Sequence, residues 1–98
     1  MLTGKQRSYL KSIANRTKPI MQIGKAGITD SFLQQLELAL ESREIVKINI
    51  LENSDLNTKE AASTVAEAVD GEFVQAIGNK IVIYKESKNN KKIELPKS

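Results

Sequence analysis

The sequence predicts one α/β domain: a mixed four-stranded sheet with helices packed on it in a two-layer arrangement. Three observations predict this class. Segments with helical apolar spacing alternate with short runs rich in Ile and Val, in the order α-β-α-β-α-β-β. A Gly-Asn pair separates the last two apolar runs, as in a tight hairpin. Finally, 98 residues with 40% apolar content provide one core and leave no room for a second domain.

The chain begins with a predicted helix over about residues 3–15, because Thr3 and Gln6 match a capping box. Its apolar stripe at helical spacing consists of Tyr9, Leu10, Ile13 and Ala14. Pro19 prevents the helix from continuing, and residues 20–23 follow as a short, mostly apolar strand.

A second helix is predicted from an N-cap at Thr29 to about Ser42. Asp30 lies in its first turn, where the helix dipole favours an acid. The apolar face of this helix consists of Phe32, Leu33, Leu36, Ala39 and Leu40. Residues 45–51 alternate between apolar and polar side chains and predict the second strand.

A third helix is predicted over about residues 58–70, after a cap at Asn57. Gly71 fits the position after its end, where a positive φ is needed. Strands at 73–77 and 80–84 complete the sheet as an antiparallel hairpin. Beyond them, a flexible charged segment is predicted from about residue 86 to 98, with one apolar patch, Ile-Glu-Leu-Pro, that could dock onto the body.

The composition excludes several function classes. The chain has no Cys and no His, which removes disulfides, Cys-ligated zinc and Ser–His or Cys–His nucleophiles. No catalytic residue, metal ligand or cofactor is therefore predicted. No apolar run approaches the roughly 20 residues that span a bilayer, and the basic N-terminus lacks the apolar core of a signal peptide. A cytoplasmic protein is expected.

Charge is segregated along the chain behind a net charge of +3. Residues 1–29 carry six bases and no acid, residues 30–74 carry ten acids and three bases, and residues 75–98 carry six bases and two acids. If the two ends fold together, one basic and one acidic face result. A basic face is the electrostatic footprint of a nucleic-acid binder, although an unevenly charged solvated surface has the same composition.

The loop Gly24-Lys25-Ala26-Gly27 lies between a predicted strand and a predicted helix N-terminus. Free backbone N–H groups make such a place an anion site, and glycines allow close approach of a phosphate. The spacing matches neither a Walker A loop nor G-x-G-x-x-G, so no nucleoside triphosphate site is predicted. Two ordinary turn glycines are the alternative interpretation.

The remaining aromatic and acidic residues favour structural roles. Tyr9 and Phe32 lie at helical spacing and are expected in the core, so RNA binding would depend on backbone contacts and charge rather than on stacking. Glu37 and Glu41 are four residues apart and could form a metal pair, but the sequence provides no third ligand. A solvated helix face, which Glu44 extends, is the preferred interpretation.

Four stretches together resemble a known family over about residues 2–96: LTGKQRSYLKSIAN, KPIMQIGKAGIT, LESREIVKINI, and VQAIGNKIVIYKES leading to KIELP. They resemble the YhbY-type proteins, the stand-alone bacterial form of the CRM domain. The resemblance implies a fold similar to the C-terminal domain of translation initiation factor three. It also implies RNA binding and association with precursors of the large ribosomal subunit.

The resemblance also implies which residues contact RNA. The family's G-x-x-G loop is likened to the KH loop that clamps a nucleotide backbone, although a KH loop joins two helices and this loop follows a strand. The implied site consists of the loop residues Gly24, Lys25, Ala26 and Gly27 and the basic residues Lys5, Arg7, Lys11, Arg16 and Lys18. Lys85 stands where the family often has Arg, which keeps the charge but loses bidentate phosphate geometry.

The sequence therefore predicts a monomeric RNA-binding protein that assists large-subunit ribosome assembly without catalysis. No membrane, cofactor or small-molecule substrate is expected. The alternative is a protein–protein adaptor that works through the acidic central region, especially its third helix. An enzyme that uses only Lys and carboxylates is the weakest alternative, because the usual general base is absent.

Overall fold

The computed structural model describes residues 2–52, 54 and 56–97, and these form three helices and one four-stranded sheet. The helices are α1 (Gly4–Ala14), α2 (Asp30–Arg43) and α3 (Thr58–Ala68), and the strands are β1 (Met21–Ile23), β2 (Ile45–Ile50), β3 (Glu72–Ile77) and β4 (Lys80–Tyr84). Each element lies within two residues of its predicted position. The predicted α/β class with a mixed four-stranded sheet is confirmed.

The sheet has the strand order β1-β2-β4-β3, so β1 and β3 are its edges. β1 runs parallel to β2, and the other two neighbouring pairs are antiparallel. The predicted hairpin joins β3 to β4: Ile77 pairs with Lys80, and Gly78 between them has φ 60°. A positive φ at this position favours glycine because it has no Cβ.

The sheet is apolar on both faces, and each face carries its own buried cluster. The larger cluster lies beneath α2 and α3 and includes Leu36, Val46 and Ile83. The smaller cluster lies on the opposite face and includes Leu10 of α1 and Val82 of β4. The structure thus extends the predicted two-layer arrangement, because α1 covers the second face of the sheet.

The helix starts follow the predicted caps. Thr3 and Gln6 form a full capping box, in which each side chain accepts a hydrogen bond from the other residue's backbone N–H, both at 3.1 Å. The side chains of Thr29 and Asn57 accept from the N–H groups three residues ahead, at 3.0 and 3.1 Å. Each cap satisfies a donor that the helix itself leaves without a partner.

The end of α3 corrects the role predicted for Gly71. The positive φ falls on Asp70, at 56°, and Gly71 donates its N–H to the Ala66 carbonyl at 2.8 Å. This Schellman turn places the left-handed residue one position earlier than predicted. Gly71 is needed for space instead: a Cβ there would lie 3.1 Å from Ile83 Cγ2 and 3.2 Å from the Tyr84 carbonyl oxygen.

Glu44 departs from the solvated helix face that the sequence favours. It is fully buried, with φ 66°, immediately after α2. Its carboxylate accepts hydrogen bonds from the backbone N–H groups of Ser87, Lys92 and Ile93, at 2.8, 2.5 and 2.6 Å. Burial raises the pKa of Glu44, but these three donors outweigh burial and hold its pKa below the usual value.

Glu41, one helical turn earlier, anchors the same segment from its outer side. It accepts from the backbone N–H groups of Lys88 and Asn89 at 3.0 and 2.9 Å, and from the Ser87 hydroxyl at 2.8 Å. These bonds, first that from Lys88, lower the pKa of Glu41. The two glutamates are therefore acceptors for the C-terminal backbone, a role that their spacing in the sequence did not indicate.

The C-terminal segment, expected to be flexible, contacts the body at residues 87–89, 92, 93, 95 and 96. Ile93 and Leu95 pack against the smaller cluster, as the apolar patch suggested. Gln6 of α1 donates its side-chain N–H to the Pro96 carbonyl at 3.0 Å. α1 and this segment together cover the second face of the sheet.

Candidate nucleic-acid interface

α1 presents a basic surface to solvent. Its residues include three Lys or Arg and no acid, and Lys5 and Lys11 are exposed, as is Arg16 just beyond its end. Within the described part of the chain, the one ion pair joins Lys91 to Glu86, so these cations are not neutralised by a contacting carboxylate. α2 and α3 carry exposed acids on the opposite face, although Glu72 contacts Leu2 on the α1 side and Lys59 lies on α3, so the charge segregation of the sequence is only partly reproduced between the two faces.

The predicted site residues do not all come together. Lys5 and Lys11 of α1 and Arg16 beyond its end are exposed, whereas Arg7 is partly buried and donates its Nε–H to the Phe73 carbonyl of β3 at 3.3 Å. The G-x-x-G loop lies beyond the opposite edge, at the end of β1. Lys18 precedes β1, and the six residue steps from Lys18 to Gly24 span about 20 Å of extended chain.

The G-x-x-G loop is a closed turn. Gly27 donates its N–H to the Gly24 carbonyl at 3.0 Å and has φ 76°. Lys25 and Ala26, at the tip, are exposed. No hydrogen bond among the described residues uses the N–H groups of Lys25, Ala26 or Ile28. The loop therefore offers a compact set of donors and one cation, while the Gly27 amide is already engaged.

Two acids reduce the anion affinity of this end of the sheet. Asp30 is exposed in the first turn of α2, and the Thr29 side chain already caps that helix. Leu51 donates its N–H to the Ile23 carbonyl at 2.9 Å, which brings the segment after β2, with the exposed Glu52, beside the loop. An anion here would be held by Lys25 and the turn amides rather than by the helix dipole.

Tyr9 corrects a prediction, because it was expected in the core and is 41% exposed. Leu10 and Ala14 face the sheet, and Tyr9 is turned about 100° away from Leu10 around the helix axis. It stands in a row with Lys5, four residues before, and Ser12, three residues after. A helical projection centred on Leu10 and Ala14 could have placed Tyr9 outside. An exposed ring beside a cation is a platform on which a nucleobase can stack.

A second cationic feature lies at the far end of β1 from the loop. A cavity of about 500 Å³ is lined by Lys18, Ile20, Arg43, Lys47 and Lys92, together with Thr17, Ser42 and Ile45. No acid is among its lining residues. Sequence reasoning selected only Lys18 from this group, because its other cations come from α2, β2 and the C-terminal segment.

Lys85 has a structural partner in this chain. It donates its Nζ–H to the Val69 carbonyl at the end of α3, at 2.8 Å. A cation at this place interacts favourably with the negative end of the helix. The contact accounts for Lys85 without a nucleic-acid ligand.

The described residues 2–52, 54 and 56–97 contain no group of three or more His, Cys, Asp or Glu arranged to hold a metal ion. Glu41, half of the pair considered for that role, has its carboxylate occupied by N–H donors of the C-terminal segment. Over the same residues, every helix is too short or too polar to cross a bilayer.

Comparison with known proteins places this arrangement in a family. The chain is 46% identical over 96 residues to the Probable RNA-binding protein YqeI of Bacillus subtilis, covering 98% of this chain and 100% of that one. It is 31% identical over 97 residues to an RNA-binding protein of Haemophilus influenzae, covering 98% and 96%. A solution structure of the hypothetical protein SAV1595 from Staphylococcus aureus, named as a candidate RNA-binding protein, matches with TM-score 0.82 and 52% identity over 98% of this chain and 100% of that one.

The CRS1 / YhbY (CRM) domain model matches residues 2–85, which include every helix and strand of the sheet and the G-x-x-G loop. The resemblance found in the four sequence stretches is confirmed. The chain belongs to the CRS1/YhbY (CRM) domain family.

Proposed function

We propose that this protein is a monomeric RNA-binding protein that associates with precursors of the large ribosomal subunit and assists their assembly in the cytoplasm without catalysis. The observation that carries the RNA-binding part is the acid-free sequence of α1, on which Lys5, Tyr9 and Lys11 are exposed. The names of its relatives as RNA-binding proteins support the same conclusion. The ribosomal part rests on the family resemblance.

RNA is held by charge, stacking and backbone donors. Lys5, Lys11 and Arg16 neutralise successive phosphates along α1, and the ring of Tyr9 stacks on a base. Lys25 and the amides at the loop tip hold a further phosphate, because the two glycines have no side chain and let the RNA approach the loop backbone closely.

The salt dependence of RNA affinity tests the electrostatic mechanism. With about five phosphate contacts on single-stranded RNA, log K falls against log[salt] with a slope of about −3.5. Fluorescence anisotropy with a labelled single strand at several salt concentrations measures the slope. A slope near zero with retained binding would contradict the mechanism.

The loop is tested at Gly27, where a Cβ would meet nothing within 4 Å. Gly27→Asp places a carboxylate beside the proposed phosphate, and Gly27→Asn has the same shape without the charge. Both residues tolerate positive φ better than other L-residues, so the fold persists in each. We expect the Asp variant to bind RNA more weakly than the Asn variant, with unchanged circular dichroism. Equal affinities would remove the loop from the site.

The ribosomal role is tested by sedimentation. In a lysate with the protein at its native level, we expect it to migrate with particles of large-subunit size on a sucrose gradient and to leave them after RNase treatment. Protein that remains at the top of the gradient at low salt would reject the ribosomal assignment, while RNA binding measured with the purified protein would still stand.

A further inference from the structure

We propose that the cavity lined by Lys18, Arg43, Lys47 and Lys92 is a second RNA-phosphate site, and that an RNA strand runs along the edge strand β1 from this cavity to the G-x-x-G loop. The inference rests on the proposed RNA-binding function. It adds three residues, Arg43, Lys47 and Lys92, that the family resemblance did not supply.

The charge of the cavity supports an anionic ligand. Four cations from four separate parts of the chain line about 500 Å³, and no acid lines it. None of the four has a carboxylate within ion-pair distance in the described part of the chain. Lys47 is held in place by donating its Nζ–H to the Ala14 carbonyl at 3.1 Å. Like charges gathered without a counter-charge raise the local concentration of a polyanion.

The C-terminal segment completes the cavity. The carboxylate of Glu44 accepts the backbone N–H of Lys92 at 2.5 Å and that of Ile93 at 2.6 Å. The hydrogen-bonded backbone brings Lys92 to the cavity that Arg43 also lines. Arg43 directly precedes Glu44 in the sequence. The buried Glu44 and its positive φ thus position a cation of the site.

The edge of the sheet provides a path between the two anion sites. Among the strands of the described residues, β1 pairs with β2 alone, so Met21–Ile23 form an edge of the sheet. A second cavity of about 520 Å³ follows this edge and shares Ile20 with the cationic cavity; its other lining residues are Pro19, Met21, Gln22, Phe32, Gln35 and Asn49. Ile20, 43% exposed, offers an apolar contact for a ribose or base between the phosphate contacts.

Paired variants test the cavity. Arg43→Gln with Lys92→Gln removes two cations from it, and Lys59→Gln with Lys88→Gln removes two exposed cations from the α2–α3 side as the matched control. Losing two phosphate contacts lowers the magnitude of the salt slope by about 1.4 and weakens single-stranded RNA binding about 25-fold at 0.1 M salt. The control pair changes neither by a comparable amount. Equal effects of the two pairs would overturn the proposal.

A titration followed by amide chemical shifts separates this inference from the proposed function. We use an oligouridine of about eight nucleotides. Shifts at Lys47, Lys92 and residues 24–27 together support the path, and shifts at the cavity alone support the cavity while rejecting the loop. Shifts at the loop or α1 alone overturn the cavity and leave RNA binding intact. No shift at any residue overturns both.

Discussion

The two faces of the sheet divide structure and binding between them. The α2–α3 face buries the larger apolar cluster and carries acids on its outer side, whereas the α1 face buries the smaller cluster beneath a basic surface. The α1 face also needs the C-terminal segment to complete its cover. Most of the buried apolar side chains therefore lie on one face, whereas the proposed RNA contacts of α1 lie on the other.

The largest expected effect is on stability at the α2–α3 face. Leu36→Ala removes a fully buried side chain from the larger cluster and should lower the free energy of unfolding by about 2–5 kcal/mol. Leu10→Ala, equally buried under α1, should cost less, because one helix and a docked segment can relax into the space. Chemical denaturation compares the two. A larger loss of unfolding free energy for Leu10→Ala than for Leu36→Ala would show that the α1 face contributes more to stability.

The next effect concerns RNA affinity at the α1 face. Tyr9→Ala should weaken single-stranded RNA binding by about 5- to 150-fold, the range for loss of one base–aromatic stack. Stability should change little because the ring is 41% exposed. Tyr9→Phe keeps the ring and should bind like the original protein. If both variants bind equally well, Tyr9 does not stack on RNA.

Acid should release the C-terminal segment before the main core unfolds. The lowered pKa of Glu44 means that its contribution is fully present above the ordinary value, 4.5, and is lost as the pH falls through the lower folded-state value. The protection factors of the Lys92 and Ile93 amides, which are corrected for the intrinsic pH dependence of exchange, should therefore fall below about pH 4.5, whereas that of Val65 should be retained. Glu44→Gln should expose the same amides at neutral pH. An equal loss of protection at all three amides on acidification would contradict release of the C-terminal segment before the core unfolds.

A smaller effect compares single cations on the two faces. Lys11→Gln removes one phosphate contact and should weaken binding about fivefold at 0.1 M salt, with a slope smaller by about 0.7. Lys59→Gln, on exposed α3, removes the same charge from the acidic face and should leave both unchanged. Identical effects would show that RNA responds only to net charge.

The smallest expected effect distinguishes the adaptor alternative. Glu60→Lys with Glu67→Lys reverses charge on the acidic face and should not weaken RNA binding, because neither residue lies on α1 or lines the cationic cavity. Stability should fall by less than about 1 kcal/mol, the scale of a helix-dipole interaction at Glu60. A variant that binds RNA normally but no longer sediments with ribosomal particles would favour a protein–protein role for this face.

Two expectations were wrong at positions where the environment of a residue is set by its neighbours in space rather than by those in sequence. Gly71 was assigned a positive φ, but the left-handed residue is Asp70, and what requires glycine is the close approach of β4. Tyr9 lies at helical spacing with Ile13 in the apolar stripe, which predicts a place in the core. The helix is rotated so that Leu10 and Ala14 meet the sheet, which leaves Tyr9 in solvent.

Local sequence determined the elements of this protein. Capping residues, apolar periodicity and the Gly-Asn turn act within a few positions of one another, so the helices, strands, hairpin and α/β class follow from the chain itself. The separation of basic and acidic residues along the chain is likewise visible in the sequence. Three-dimensional packing, by contrast, brings the C-terminal backbone onto Glu44 and places Arg43, Lys47 and Lys92 around one cavity. Those residues meet through sheet pairing and chain docking, and no spacing in the sequence records such contacts.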